Sequence, residues 1–173
     1  VLGHRPAIVR TLIANLHSAT AVFRLNEKEK TGIFGPYSKI SAKITPAALD
    51  AAEKELKTAE KYGCTFICIN EPAYPKLLSE CEDAPAGLYV RSMIPAEELF
   101  SGNDFIAVVG TRNISEYGKS TCKSIIRALA NTPQQPVIVS GLAFGTDITA
   151  HIEAAGCGLR TIAVLPAGLD RIY

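Results

Sequence analysis

The chain has 173 residues and a formal net charge of +1, and 47% of its residues are hydrophobic. This length and composition predict a soluble globular protein with one sizeable core and a small additional domain. The near-neutral charge excludes a globally basic nucleic-acid binder. The sequence contains no apolar run of about 18 residues, which argues against a membrane span.

The cysteines and histidines do not form a metal-binding or disulfide pattern. The five cysteines are odd in number and contain no C-x-x-C pair, and the three histidines are scattered along the chain: Cys64, Cys68, Cys81, Cys122, Cys157, His4, His17 and His151. We therefore expect reduced, mostly buried thiols and no structural metal. No signal peptide opens the chain, so a cytoplasmic location is expected. The absence of an initiator Met and a strand pattern close to residue 173 predict a part of a longer protein.

The first 44 residues are predicted to form a small helical domain. Residues 6–17 carry apolar side chains at helical spacing, with Pro6 at a first-turn position, and Val22 and Phe23 follow a short break. Residues 27–43 mix charge, Gly and Pro without a clear period, which indicates short helices and turns.

A longer helix is predicted after residue 44. Thr45 is suited to the N-cap and Pro46 to the first helical position, and Gly63 is expected to close the helix as its C-cap. Between them, apolar residues recur at helical spacing: Leu49, Ala52, Leu56 and Ala59.

Two strands are predicted next, over residues 65–69 and 87–90. The stretch between them contains Pro72, Pro75 and Pro85 and therefore cannot be a long helix. We expect these strands to extend the main sheet, and residues 95–104 to form a polar connector.

The second half contains two strands that each run into a glycine turn. The apolar run at 105–109 leads into Gly110-Thr111-Arg112, and the run at 137–139 leads into the turn that spans residues 140–147. Short apolar runs without alternation are typical of parallel strands buried on both faces. Residues 45–173 are therefore predicted to form an α/β domain with a mainly parallel sheet. Ligands of such sheets bind at the carboxyl ends of the strands, where backbone N–H groups favour an anion such as phosphate.

Three standard motifs do not fit. Gly110 and Gly118 are too far apart for a phosphate-binding P-loop, and no second glycine follows Gly110 at the spacing of a dinucleotide fingerprint. Ser140, Asp147 and His151 resemble a hydrolase triad, but no G-x-S-x-G elbow surrounds the serine. Since Asp147 and His151 are four residues apart on one predicted helix, a local Asp–His pair or a helix cap is the simpler interpretation.

Positive charge recurs along the helix that follows Arg112. Lys119, Lys123 and Arg127 are spaced four residues apart and therefore line one stripe. Such a stripe is often only a solvated surface. Near an arginine fixed beside glycine N–H groups, however, it can follow successive phosphates of a nucleic acid.

These motifs together resemble the DprA/Smf family of DNA-processing proteins. The resemblance covers residues 45–173 and rests on the order and spacing of short motifs: Val109-Gly110-Thr111-Arg112, Tyr117-Gly118, the run from Ser140 to Asp147, His151, and the run from Gly168 to Tyr173. Tyr74-Pro75-Lys76-Leu77-Leu78 and Leu88-Tyr89-Val90-Arg91 are also similar to family segments. The helical residues 1–44 resemble the family's SAM-like domain.

The resemblance implies an extended Rossmann fold that binds single-stranded DNA without catalysing a reaction. It further implies a recombination mediator that protects incoming DNA in natural transformation, helps load RecA and acts as a homodimer, with no cofactor. The DNA- and phosphate-binding residues it implies, together with the predicted basic stripe, are Gly110, Thr111, Arg112, Gly118, Lys119, Lys123, Ser140, Gly141, Phe144 and Gly145. Asp147 and His151 are expected to shape the pocket.

The chain departs from the family at a few positions, and an alternative function stays open. Thr111 replaces the usual Ser, Thr146 replaces a β-branched aliphatic residue, and Phe144 stands where the family often has Arg or Lys. A phenyl ring at this position is suited to stacking on a base. The alternative is a nucleotide-binding enzyme similar to the lysine-decarboxylase-like phosphoribohydrolases, although the chain lacks their P-G-G-x-G-T-x-x-E segment. A purely structural interaction module would leave Arg112 and its glycines unexplained.

Overall fold

The structure is a computed structural model, and it describes residues 6–16, 19–102 and 104–169. The predictions that concern His4, His17 and residues 170–173 lie outside these residues. Contacts divide the chain into two compact units, Val1–Phe100 and Ser101–Tyr173. This division falls after Phe100. The domain boundary that the sequence predicts after residue 44 stays a prediction.

The first unit begins with short helices around a small apolar core. These elements are α1 (Pro6–Leu16), a 3₁₀ helix (Ala19–Arg24), α2 (Glu27–Phe34) and a second 3₁₀ helix (Ser41–Lys43). Their core contains buried Leu12, Val22 and Ile44 and partly buried residues from the same stretch: Ile8, Leu16, Phe23, Leu25, Phe34 and Ile40. The expectation of short helices and turns over residues 27–43 is confirmed.

Helix α3 (Pro46–Lys61) has the N-terminus that the sequence predicts. The Thr45 side chain accepts a hydrogen bond from the Ala48 N–H, and Pro46 is the first helical residue. At the other end, Tyr62 is the C-cap and Gly63 follows it with a φ of +69°, so the predicted cap position is one residue too late. Gly63 fits there because a left-handed φ closes the helix by N–H bonds back to its last turn.

The rest of the first unit is a two-stranded antiparallel sheet with two short helices. Strand β1 (Thr65–Cys68) pairs with β2 (Gly87–Val90), and α4 (Lys76–Ser79) and α5 (Ala96–Phe100) accompany them. The prediction that these strands extend the main sheet is wrong, because their ladder forms a separate sheet. The expected polar connector also contains helix α5, whose Leu99 is buried.

The second unit is a three-stranded parallel sheet connected by two helices. Its elements follow in the order β3 (Phe105–Ala107), α6 (Glu116–Ala130), β4 (Val137–Ser140), α7 (Thr146–Gly156) and β5 (Thr161–Ala163). Strand β4 lies between β3 and β5. This arrangement confirms the predicted α/β, Rossmann-like class with a parallel sheet.

Only the central strand is buried on both faces. Right-handed crossovers are the rule for parallel strands, and in this strand order they put both connecting helices on the same face; in agreement, α6 and α7 contact each other. Their core contains Ile126, Ile138 and Ala150, all fully buried. Ala107 in β3 and Ala163 in β5 are exposed, so the prediction of burial on both faces is wrong for the two outer strands.

Two further predictions concern the thiols and the membrane. None of the five cysteines, all of which lie within the described residues, forms a disulfide; Cys64 and Cys122 are buried, whereas Cys81 is exposed. Within the described ranges, no helix combines the length and the apolar character that crossing a bilayer requires.

Candidate functional site

Two turns meet at the carboxyl edge of the parallel sheet in the second unit. We call residues 108–114, which follow β3, the Arg112 turn, and residues 141–145, which follow β4, the Phe144 turn. Thr146, the first residue of α7, donates two hydrogen bonds to the backbone carbonyl of Thr111: one from its N–H at 3.1 Å and one from Oγ1 at 3.2 Å. These bonds join the two turns directly.

Glycines allow this close approach. A β-carbon at Gly110 would lie 2.9 Å from the Thr146 Cβ, which is closer than side chains pack. Gly145 has a φ of +85°, and a β-carbon there would collide with the carbonyl groups of Thr111 and Arg112. The backbone of the Phe144 turn therefore lies against the backbone that carries Arg112, and only glycine fits at both positions.

Arg112 presents its side chain to solvent from this junction. The residue is exposed, and its guanidinium has no ion pair with any residue that the structure describes. The turn around it is held locally, since Thr111 Oγ1 accepts a hydrogen bond from the Asn113 N–H at 3.1 Å. The structure therefore brings together an ordered turn and an unpaired fork of N–H donors.

Some backbone amides at the two helix N-termini have protein acceptors. In α6, the Gly118 N–H donates to Ser115 Oγ at 3.1 Å. In α7, the Thr146 N–H bonds to Thr111, and the Ile148 N–H donates to the Ala143 carbonyl at 3.1 Å. Of these amides, only that of Gly118 belongs to a residue predicted to bind phosphate, and the phosphate contacts predicted for Gly110, Gly141 and Gly145 stay predictions. Positive charge at this edge comes chiefly from the Arg112 side chain.

The basic stripe on α6 is partly neutralised. Lys119 Nζ forms an ion pair of 2.7 Å with Glu116 Oε1 on the same helix. The hydrogen bond from Lys119 lowers the pKa of Glu116, and Lys123 adds a smaller effect in the same direction. Arg127 Nε pairs with Glu153 Oε1 of α7 at 2.6 Å. No hydrogen bond or ion pair between residues 104 and 169 connects Lys119 or Lys123 to the Arg112 turn.

Ser140 has a structural contact at the end of β4. Its side chain is buried, and its hydroxyl donates a hydrogen bond to the Val108 carbonyl at 2.6 Å. Its own carbonyl accepts from the Val164 N–H at 2.8 Å. Ser140 therefore joins the ends of the three strand segments, and the DNA contact predicted for it stays a prediction.

Asp147 and His151 are both buried residues of α7. Within the described ranges no ion pair joins them; His151 Nδ1 instead lies 2.6 Å from Thr161 Oγ1, which lies 3.1 Å from the Ile138 carbonyl oxygen. The predicted Asp147–His151 pair is therefore not formed as a hydrogen bond or ion pair, and Asp147 acts on His151 only through its charge. The predicted cap is also absent, since Gly145 is the N-cap of α7. Asp147 is buried and approaches Gly141, where a β-carbon would lie 2.9 Å from Oδ2.

Burial controls the charge of His151. The residue is 7% exposed, and this burial lowers the pKa of its imidazole below the ordinary value. The carboxylate of Asp147 and the backbone of Ser140 act in the opposite direction. Nε2 is buried without a partner in hydrogen-bond geometry among the described residues, although the Ser140 backbone lies near enough to favour the protonated ring.

The Phe144 turn and the first turn of α6 carry exposed apolar side chains. Phe144 is 84% exposed and Tyr117, in the first turn of α6, is 81% exposed. Leu142, in the Phe144 turn, has a φ of +61°, which is uncommon for a residue other than glycine. The second unit thus carries an exposed arginine and exposed aromatic rings, the side-chain types that bind the backbone and bases of a single strand.

Two contact residues are missing from the sequence-based site. Thr146 joins the two turns, and its hydroxyl directly after Gly145 was the available signal. Thr161 holds His151, but a threonine at the start of a strand gives no indication of such a partner in the sequence. Both act by positioning backbone and side chains that the sequence did identify.

Comparison with known proteins identifies the family. Residues 65–173 match the family model described as DNA recombination-mediator protein A. The chain is 39% identical over 105 residues to the DNA processing protein DprA of Streptococcus pneumoniae, covering 61% of this chain and 35% of that protein. It is 32% identical over 125 residues to Protein Smf of Borreliella burgdorferi, covering 72% of this chain and 38% of that protein.

A solved structure shows the same fold. The X-ray structure of DprA from Streptococcus pneumoniae matches 99% of this chain and 56% of its own length, with a TM-score of 0.72 and 28% identity. The chain spans less than two fifths of the length of the curated relatives it matches. Because the family model covers more than half of its residues, the chain belongs to the DNA recombination-mediator protein A family.

Proposed function

We propose that the chain binds single-stranded DNA through Arg112 and the two joined turns, without catalysing a reaction on it. The observation that carries this proposal is the exposed guanidinium of Arg112, which has no ion pair within the described residues and stands on a turn fixed by Thr146. An arginine held in this way can bind a phosphate by two parallel hydrogen bonds.

A single strand fits this edge better than a duplex. Phe144 and Tyr117 are exposed aromatic residues, and a base can stack on such a ring only when it is not paired within a helix. We therefore expect little sequence preference and a clear preference for single-stranded over double-stranded DNA. Equal affinity for matched single- and double-stranded oligonucleotides would contradict this expectation.

The enzyme alternative has less support at the same edge. The Ser140 hydroxyl donates to the Val108 carbonyl, and His151 is bonded to Thr161, so neither is arranged as a nucleophile and its base. We expect the purified chain to hydrolyse neither ATP nor nucleoside monophosphates. Turnover that is lost in the Asp147→Ala variant would favour an enzyme instead.

The wider role follows from the family. We infer that the protein is a cytoplasmic recombination mediator that protects incoming DNA during natural transformation, helps load the RecA recombinase and works as a homodimer. Its relatives include proteins named as DNA processing proteins, which supports a role on DNA. Faster RecA assembly on a coated single strand in the presence of the protein is the expected result of a loading assay.

The Arg112→Ala variant tests the proposed site. It should bind an oligothymidylate more weakly, and its salt dependence should flatten by about 0.7 in the slope of log K against log salt, the amount expected for one phosphate contact on a single strand. Because Arg112 is exposed on a turn held by other residues, the thermal stability of the variant should match that of the wild type.

Lys123→Ala is the matched comparison within the same unit. Lys123 is half-buried in the middle of α6, and a mobile lysine binds phosphate less specifically than a fixed arginine. Lys123→Ala should therefore weaken binding of single-stranded DNA, but less than Arg112→Ala does. If Arg112→Ala binds like the wild type across the salt titration, the proposed site is wrong.

A further inference from the structure

The near-neutral net charge conceals a strong separation of charge along the first unit. Residues 1–44 contain seven Lys and Arg and two Glu, a net charge of +5. Residues 45–100 contain five Lys and Arg and ten Asp and Glu, a net charge of −5. The small helical region is therefore as basic as the following region is acidic, and this sets it apart as a place for an anionic partner.

The basic side chains lie on the surface of one packed body. Four of them are exposed: Arg24, Lys28, Lys39 and Lys43. Three directly adjoin residues of the apolar core, because Phe23 precedes Arg24, Ile40 follows Lys39 and Ile44 follows Lys43. Helix α2, which carries Lys28, packs against the 3₁₀ helix that ends at Lys43.

Most of the exposed positive charge has no ion pair among the described residues. None of the four exposed basic residues forms an ion pair with a residue that the structure describes. Lys30 is different, since it pairs with Glu27 at 2.9 Å, and Glu29 closes a capping box with Asn26. The two acidic side chains of this region are thus engaged on α2, and the four exposed cations remain available.

An exposed aromatic ring accompanies the lysines. Tyr37 is 96% exposed and stands between Gly35-Pro36 and Lys39, in the loop that connects α2 to the second 3₁₀ helix. A single exposed ring is ordinary on a protein surface, so the interest of Tyr37 lies in its position two residues before Lys39. A ring interleaved with lysines provides both a stacking surface and charge for the phosphates of an unpaired strand.

From these observations we propose that Lys39, Lys43 and Tyr37, with Arg24 and Lys28 around them, form a second contact surface for single-stranded DNA on the N-terminal helical region. This surface belongs to the first unit, whereas Arg112 and its turns belong to the second. It rests on the proposed function only in that both take the same ligand, and each can be tested without the other. Unpaired DNA is favoured over an acidic protein because of the exposed ring.

The test compares two double variants of the whole 173-residue chain. Lys39→Ala with Lys43→Ala removes two exposed lysines from the basic region, and Lys54→Ala with Lys57→Ala removes two exposed lysines from α3 in the acidic region. Both lose the same charge. We expect only the first to bind a labelled oligothymidylate more weakly, with a decrease of about 1.4 in the salt slope, or about 0.7 per lost contact.

Substitutions of Tyr37 test base stacking separately from charge. Tyr37→Ala should weaken binding roughly 5- to 150-fold, the range for losing one stacked base, without a change in the salt slope. Tyr37→Phe keeps the ring and should bind like the wild type.

The outcomes separate the two proposals. If Lys39→Ala with Lys43→Ala binds like the Lys54 and Lys57 control, the second surface is wrong, whatever Arg112→Ala does. If it weakens binding while Arg112→Ala does not, the second surface stands and the Arg112 site fails. In a competition assay, unlabelled DNA should displace the labelled oligothymidylate from the surface and polyglutamate should not. If Lys39→Ala with Lys43→Ala weakens the binding of polyglutamate as much as the binding of DNA, the surface is for an acidic protein instead.

Discussion

Arg127 on α6 and Glu153 on α7 form an ion pair of 2.6 Å, with the glutamate side chain only 12% exposed and the arginine 62% exposed. The third member of the predicted basic stripe thus connects two helices. Arg127→Ala should lower the free energy of unfolding by about 1 kcal/mol, the upper end for partly exposed pairs, as measured by urea denaturation. The slope of log K against log salt for DNA binding by this variant should equal that of the wild type. A slope reduced as in Arg112→Ala would show that Arg127 contacts DNA.

The Gly145→Ala variant tests the junction of the turns. Alanine there requires a φ of +85° and places a β-carbon against the carbonyl groups of Thr111 and Arg112. We expect a loss of at least about 1–3 kcal/mol in the free energy of unfolding, together with weaker DNA binding. Gly156→Ala is the control, because a β-carbon at this position in α7 meets nothing within 4 Å. Equal stability of the two variants would contradict the close contact.

The Phe144→Ala variant separates stacking from charge. Because Phe144 is 84% exposed, its removal should leave thermal stability almost unchanged. If its ring stacks on a base, the affinity for an oligothymidylate falls by about 1–3 kcal/mol while the salt slope stays constant, since stacking releases no counterions. Phe144→Leu retains apolar area without a ring and should behave like Phe144→Ala. Wild-type affinity in both variants would remove Phe144 from the site.

The buried His151 predicts a pH dependence of stability. Burial lowers its pKa in the folded protein below the ordinary value of 6.5, so the unfolded chain binds more protons between these two values. The free energy of unfolding should therefore fall as the pH decreases through 6.5 and level off below the folded pKa. Urea denaturation from pH 8 to pH 5 measures this slope. His151→Gln should flatten it relative to the wild type, and an unchanged slope would contradict the assignment.

Local signals made the helices and strands predictable. Thr45 and Pro46 specify the start of α3 because a side-chain cap and a missing N–H act within one turn. The run Val137 to Val139 identified the central strand because it is apolar on both faces. Pairing between strands depends on residues far apart in the sequence. Nothing in residues 65–69 shows that their partner is β2 alone, and the separate sheet was therefore missed.

The candidate site was predictable in its backbone and less so in its side chains. Gly110 and Gly145 were predicted to bind phosphate, which stays a prediction; the structure places both where the two turns contact each other and a β-carbon would collide. The spacing of Lys119 could not reveal that Glu116, three residues earlier, pairs with it. His151 illustrates the same limit, because the hydroxyl it contacts belongs to Thr161 on another strand.

The bond between Thr111 and Thr146 also bears on what DNA binding would cost in entropy. Ordering a free loop costs about 1–2 kcal/mol per residue for the backbone. The backbone that carries Arg112 is already fixed when the protein folds, by the two donors of Thr146 and the close packing of Gly145. An incoming phosphate would then restrict mainly the arginine side chain, whose rotamer freedom is worth about 2 kcal/mol. Preorganisation of this kind lets a single charge-assisted contact contribute most of its interaction energy to affinity.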